Sequence, residues 1–425
     1  MKVLRFVAIA VAMSAYLPGF CFYGNLPENA VEIGEHCWYS ILSEEEKTVL
    51  FIGIDDTDWD KYLDKHFDIP AYVRIPDHGE NEYKVVEIGE DALTCRPTTG
   101  FPSYNEDQFD YVGGDYWCMV NSVTIPETVT KIGGEAFSGA SGDGFKDFIF
   151  PETVSYIGTG CFYWSSGVER IYLPQALKAI PGVFASKCKY LKECDIPSAV
   201  ESIGARAFYR CYAMERVYIP RAVKQIGADA FTALISIENF EVDPANGNYS
   251  APDGILLDKE GKTLIAWPFQ RNGDIVVPEG VETLQGCPLN DAYHLFSSID
   301  LPSTIKSLPA GSFSHDTGLN RLTVRAEVPP ICGENEYVSF ADPNVFNNAK
   351  LYVPAGSEEA YREAPVWKEF RNILAIGSDA VEGISDDPDA TEAEYFTLGG
   401  MKTDEPAHGE ITVRRQNGKA ILLRR

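Results

Sequence analysis

The sequence predicts an α/β-type repeat solenoid. Its coils are about 23 residues long, and each gives one short strand to a parallel sheet. Mostly loop or short helical turns form the other side, and both ends are capped. Three observations carry this expectation. Prolines recur in phase at Pro126, Pro151, Pro174, Pro197, Pro220, Pro278, Pro302 and Pro354, and from Pro151 to Pro220 every spacing is 23. Apolar residues stand one and three positions before these markers, and again three and six after. An Ala-Phe pair then follows in most copies, as in Ala136-Phe137, Ala207-Phe208 and Ala230-Phe231.

Each part of the coil follows from its residues. Ile125, Phe150, Leu173, Ile196 and Ile219 precede the prolines, with Val123, Phe148, Ile171, Cys194 and Val217 two residues earlier. This period-two alternation makes a very short strand with one inward face. Proline ends it, because it has no N–H for the ladder. Val129, Val154, Leu177, Val200 and Val223 follow, and then Ile132, Ile157, Ile180, Ile203 and Ile226, as further inward positions. Gly204, after Ile203, is expected to permit a tight turn. One such unit cannot bury its apolar face alone, so units stack.

The run Ile196-Pro197 through Val200, Ile203-Gly204 and Ala207-Phe208 to Cys211 resembles the BspA-like leucine-rich repeats of surface proteins from anaerobic Gram-negative bacteria. The resemblance covers about residues 70–376, although Pro181, Gln285 and Pro309 replace the glycine and residues 94–120 are a long insertion. It implies a leucine-rich repeat fold and a binding role at the cell surface.

The remaining segments divide as follows. Residues 1–22 have basic Lys2 and Arg5, an apolar stretch from Phe6 to Leu17, and Pro18-Gly19 to break it. They read as a secretory signal peptide, too short to span a bilayer. A lipid anchor on Cys21 is the alternative, and bulky Phe20 argues against it. Residues 23–70 read as an N-terminal β-hairpin cap, and 71–354 as the solenoid, with insertions at 94–120 and 247–272. In the second insertion DKEG is a turn between apolar runs, so a hairpin is expected to project from the stack. Residues 355–376 read as a C-terminal capping helix that begins at the N-cap Ser357 and stops at Pro365, with Tyr361, Trp367 and Phe370 covering the last coil. An acidic linker follows over 377–394, and a small β tail over 395–425 with an Asn417-Gly418 turn. Gly400, Gly409, Gly418 and Lys419 of this tail resemble, in degenerate form, C-terminal sorting signals of the same bacteria.

Ten cysteines do not make a disulfide framework here, since their spacing is irregular and the chain is long. Cys188 and Cys211 each lie nine residues before a marker and so share one site in adjacent coils. They read as buried thiols, with a disulfide as the alternative. Cys161 and Cys194 are core positions. Cys95 and Cys118 flank the long insertion and are the better candidates for a bridge.

No catalytic constellation emerges. His36, His66, His78, His294, His315 and His408 form no metal-binding pair, and neither a phosphate-binding loop nor a nucleophile elbow occurs. Asp56, Asp58 and Asp60 imitate the start of a calcium loop, but Lys61 stands where that loop needs glycine and Phe67 where it needs glutamate. The expectation is therefore no catalytic residue, no metal and no cofactor. The net charge of −27 excludes nucleic acid as a partner, because phosphate backbones are held by clustered Lys and Arg.

What remains is the outward face of the strands. Four residues before the markers the row reads Ser122, Asp147, Arg170, Glu193, Arg216 and Asn239; two before, it reads Thr124, Ile149, Tyr172, Asp195, Tyr218 and Glu241. Arg170, Tyr172, Glu193, Asp195, Arg216 and Tyr218 are the candidate ligand-binding residues, resembling an interface hot spot in composition. The competing account is structural: Asp147, Arg170, Glu193 and Arg216 alternate in sign on neighbouring rungs and support strand pairing. The expected protein is exported, monomeric and non-enzymatic, and adheres to a host protein or matrix at the bacterial surface. A carbohydrate-binding or nutrient-capture accessory protein is the alternative, followed by a structural spacer; a periplasmic location is the alternative placement.

Overall fold

The structure, a computed structural model, describes residues 26–27, 29–34, 37–54, 66–94, 96–97, 103–105, 110–112, 116–117, 120–270, 274–289, 296–313, 318–333 and 343–378, with the strand backbone at 394–397, 402–403, 411–416 and 419–424. The expected signal peptide, Cys21, His36, the acidic turn at Asp56–Asp60, Cys95, Cys118, most of the acidic linker and the tail glycines lie outside the described residues.

The described coils form a parallel solenoid of short strands with little helix. The strand expected before each proline is present and in register: Phe148 stands opposite Ile171, and Ile171 opposite Cys194. Ile275–Val276, Ser298–Leu301, Arg321–Val324, Lys350–Val353 and Asn372–Ala375 continue the pattern as one five-stranded sheet. Each coil adds a second strand of only two residues at the isoleucine six after the marker. Ile203 pairs with Ile180 on one side and Ile226 on the other, as Ile132 does with Ile88 and Ile157. The N-terminal hairpin, Cys37–Ser43 with Thr48–Ile54, joins this second row through the parallel pairing of Thr48–Ile54 with Glu82–Ile88. Tyr39, Val49, Phe51 and Ile54 pack into the same core as the coils.

Gly204 serves a different purpose from the expected one. A Cβ there would lie 2.2 Å from the Gly182 nitrogen of the preceding coil, so glycine is needed for close backbone approach. Gly158 and Gly227 repeat the relation, at 2.3 Å from the nitrogens of Gly134 and Ala205. The turn itself is made by residues with left-handed φ nine and thirteen positions after the marker. Glu135, Val183, Arg206 and Asp229 occupy the first site; Gly139, Trp164, Lys187, Arg210 and Ala233 occupy the second.

These turns carry a ladder of their own. N–H groups nine, eleven and thirteen after one marker donate to carbonyls eight, ten and twelve after the next. Glu135, Phe137 and Gly139 thus donate to Thr159, Cys161 and Tyr163, and the pattern repeats until Arg206, Phe208 and Arg210 donate to Ala228, Ala230 and Thr232. All run in one sense, at 2.6–3.1 Å.

Inside the turn, Phe137, Phe162, Phe184, Phe208 and Phe231 stack as a spine with ring centroids 5.6–6.0 Å apart. Cys188 and Cys211 lie beside it as free, buried thiols. Each donates to a carbonyl of the preceding coil, Cys188 to Phe162 at 2.9 Å and Cys211 to Ala185 at 3.0 Å. Burial pushes the Cys188 thiol up to about 12.

The second insertion does not project. Tyr249–Ser250, Leu256–Asp258 and Thr263–Ala266 form an antiparallel unit that enters the stack, and Thr263–Ala266 pairs in parallel with Thr283–Leu284 of the next coil. Its strands separate two core clusters. Leu256, Ile265 and Ala266 face the N-terminal cluster, and Ile255, Leu257, Leu264 and Trp267 the C-terminal one.

Near the C-terminus, helix Glu358–Glu363 follows Ser357, whose hydroxyl makes no capping hydrogen bond; the residue sits at αR angles that turn it away from that role. Tyr361, Trp367 and Phe370 are buried together, with Tyr361 Oη donating to the Ala326 carbonyl and Trp367 Nε1 to the Pro330 carbonyl, both at 2.8 Å. The backbone of the tail forms the antiparallel order Lys402–Thr403, Glu394–Thr397, Ile411–Gln416, Lys419–Arg424.

Candidate binding surface

The strands Asp147–Ile149, Arg170–Tyr172 and Glu193–Cys194 are neighbours, and Val217–Ile219 begins the next pair with Phe240–Val242. Because successive strand residues face opposite ways, burying Ile171, Cys194 and Val217 turns the predicted site residues outward. Register puts Ile149 opposite Tyr172 and Tyr218 opposite Glu241. Tyr172 is 49% exposed, Tyr218 42% and Ile149 69%. Ile149 belongs with the two tyrosines, and an apolar residue in an outward row was the signal for it.

The charges on this face are partly engaged with one another. Arg170 binds both carboxylate oxygens of Asp147, with Nη2 to Oδ2 at 2.8 Å, and this holds the Asp147 carboxyl below its usual range. Glu193 stands opposite Arg170 on the other side. Arg216 does not pair with Glu193, as strict alternation would have it, but reaches Asp195 Oδ1 at 3.4 Å. The strand Glu193–Cys194 stops short of Asp195, which leaves that carboxylate beside the start of the next strand. The Tyr218 hydroxyl is raised in pKa by partial desolvation, and then by its hydrogen bond to Asp243.

At the N-terminal end, strand His66–Asp68 pairs in parallel with Ser122–Thr124 and extends both outward rows. His66 Nδ1 lies 2.6 Å from Ser122 Oγ, while Nε2 lies 2.7 Å from Thr124 Oγ1 and 3.1 Å from Asp68 Oδ1. The Asp68 carboxyl is held below its usual range by the Thr124 hydroxyl and then by His66. The connectivity resembles a hydroxyl–imidazole–carboxylate set, but the Asp68 side chain is 75% exposed, on an open sheet face. Water screens such a carboxylate, unlike the buried one that orients a catalytic histidine. The cluster fastens strand to strand. Among the described residues no group of three His, Cys, Asp or Glu side chains could hold a metal ion, and no helix is long and apolar enough to cross a membrane.

Residues 116–238 match the family model described as BspA type leucine rich repeat region, in six copies. Among solved structures the chain is similar to the pneumococcal vaccine antigen PcpA, with 19% identity and a TM-score of 0.54, over 82% of this chain and 98% of that one. It is also similar to a leucine rich cell surface protein from Faecalibacterium prausnitzii A2-165, with 19% identity and a TM-score of 0.53, over 83% and 96% of the two chains. At this identity the likeness concerns the fold. No curated protein matches the chain.

Proposed function

We propose that this chain, whose residues 116–238 are a BspA type leucine-rich repeat region, is an exported, non-enzymatic surface protein that adheres to a protein partner through the outward strand face. The observation that carries the proposal is one outward row in which Ile149 and Tyr172 are neighbours and Tyr218 follows beyond Asp195, with the charges beside them paired as Arg170–Asp147 and Arg216–Asp195. Exposed tyrosine and isoleucine side chains interleaved with arginines have the composition of protein–protein hot spots. Arg170 and Arg216 then act mainly by orienting the partner, since exposed ion pairs contribute little affinity. The leucine-rich repeat fold, which offers long exposed surfaces, supports an interaction or adhesion role in general.

The test is binding of the full chain to a panel of immobilised extracellular-matrix proteins. At least one should be bound, and Tyr172→Ala with Tyr218→Ala should weaken that binding at least tenfold while the melting temperature holds. Binding that survives the double substitution would place the contact on another face.

A further inference from the structure

The turn side of three adjacent coils carries a second surface with a different chemistry. Twelve and thirteen residues after the markers, the coils from Pro126 and Pro220 have the small pairs Ser138-Gly139 and Thr232-Ala233. The three coils between them have Tyr163-Trp164, Ser186-Lys187 and Tyr209-Arg210. Lys187 Nζ lies 4.4 Å from the Trp164 ring centroid and 5.5 Å from that of Tyr163. The guanidinium of exposed Arg206 lies 5.7 Å from the Tyr209 ring, and Lys189 stands two residues beyond Lys187. Arg210 is buried beneath Tyr209, 5.1 Å from its ring centroid.

The coils that carry this ridge are less acidic than the rest of the molecule: residues 163–232 hold ten Lys and Arg against six Asp and Glu, in a chain whose total is −27. On the ridge itself the cations are Lys187, Lys189 and Arg206, the last 3.6 Å from Asp229 Oδ2. Backbone conformation does not account for the large side chains. Trp164 and Lys187 have φ of 62° and 65°, a region that favours glycine, and Gly139 fills the equivalent site one coil earlier.

We propose that this ridge binds a short acidic oligosaccharide, a run of pyranose rings with a uronate at its centre. Along the solenoid axis the order is aromatic, cationic, aromatic: Tyr163, Lys187, Tyr209. Adjacent coils are about 4.8 Å apart by the strand spacing, close to the advance of one pyranose ring in an extended chain. The flanking sugars lie on the tyrosine rings while the central carboxylate meets the Lys187 ammonium. An acidic peptide strand fits this spacing less well, since its same-face side chains repeat at about 6.6–6.8 Å. A nucleic acid, with a charge on every unit, meets repulsion from the acidic remainder of the chain.

The test is calorimetric titration of the full chain with trigalacturonate, an alginate trimer and a hyaluronan tetrasaccharide, with maltotriose, hexaglutamate and an oligothymidylate alongside. At least one uronate should bind, more weakly as salt is added, and at least tenfold tighter than the other three probes. Trp164→Gly, which takes away the ring that Lys187 lies against, should reduce that binding at least tenfold without lowering the melting temperature, because glycine suits the φ at this site. Lys187→Gln, which keeps the stem, should do the same; neither change should alter adhesion through Tyr172 and Tyr218. Binding of no uronate overturns the proposal, as does equal or tighter binding of any other probe, or retention of full affinity by both variants.

Discussion

A methyl group added at Gly204 would meet the Gly182 nitrogen at 2.2 Å and its Cα at 2.6 Å, all backbone of the preceding coil with no flexible side chain to yield. Gly204→Ala should therefore cost about 1–3 kcal/mol through forced separation of two coils. Gly247→Ala, with nothing within 4 Å, is the control and should change little. Urea unfolding of both variants checks this, and equal midpoints would refute it. The sequence identified Gly204 as conformationally special but not why, because the group it approaches lies in another coil. The left-handed φ falls instead on Arg206, a residue type that carries no signal for it. The same blindness affected Arg216. Its row was legible by counting back from Pro220, but its choice of Asp195 over Glu193 depends on where a two-residue strand ends.

Strands before the prolines were readable because inward residues recur at a fixed phase and their neighbours are polar. The second strand of each coil was not, since two residues are too few to show alternation. The inserted hairpin carries a sequence signal of its own. Its runs Ile255-Leu256-Leu257 and Leu264-Ile265-Ala266 are apolar without a break, which is the mark of a strand buried on both faces. A projecting hairpin would have alternated. Because the hairpin separates two core clusters, damage to one of its faces should stay on that side. Leu264→Ala, on the C-terminal face, should cost about 2–5 kcal/mol. Hydrogen exchange should quicken in Ile275–Val276 and Ser298–Leu301 and leave Ser202–Ile203 and Gln225–Ile226 nearly as protected as before. Equal loss on both sides would mean that the two clusters unfold as one.

At the scale of the whole molecule, a net charge of −27 on the chain opposes folding near neutrality. Added salt at pH 7 should therefore raise the melting temperature. Acid has two effects. Asp147, Glu169, Glu201 and Glu282 are all held below their usual range, in each case first by a hydrogen bond from a cationic side chain: Arg170, Lys192, Lys224 and Lys306. A carboxyl lowered by folding contributes stability above its unfolded pKa, near 4, and that contribution is lost as pH falls through the folded value. Glu135 is raised by burial and by Asp91 and Glu90, so its contribution is present at low pH and lost as pH rises through its folded value. Stability should thus climb from pH 7 to a maximum at about pH 4.5–5.5 and fall below about pH 4, as a series of thermal melts would show. A melting temperature that drops on adding salt at pH 7 would contradict this balance. The one-way ladder of the turns has a further consequence for the length of the molecule. Every coil from Pro126 to Pro197 offers its successor the same donors, and every coil from Pro151 to Pro220 offers its predecessor the same acceptors, so the coils between can meet one another. Excising residues 174–196 would set Phe162 against Phe208 and the Glu152 coil against the Glu201 coil, with donors and acceptors again in step. Removing a single residue would leave every later donor facing the wrong atom. Such a chain can lengthen or shorten by whole coils, and the distance between its ends is a quantity that can change in steps without redesign of the core.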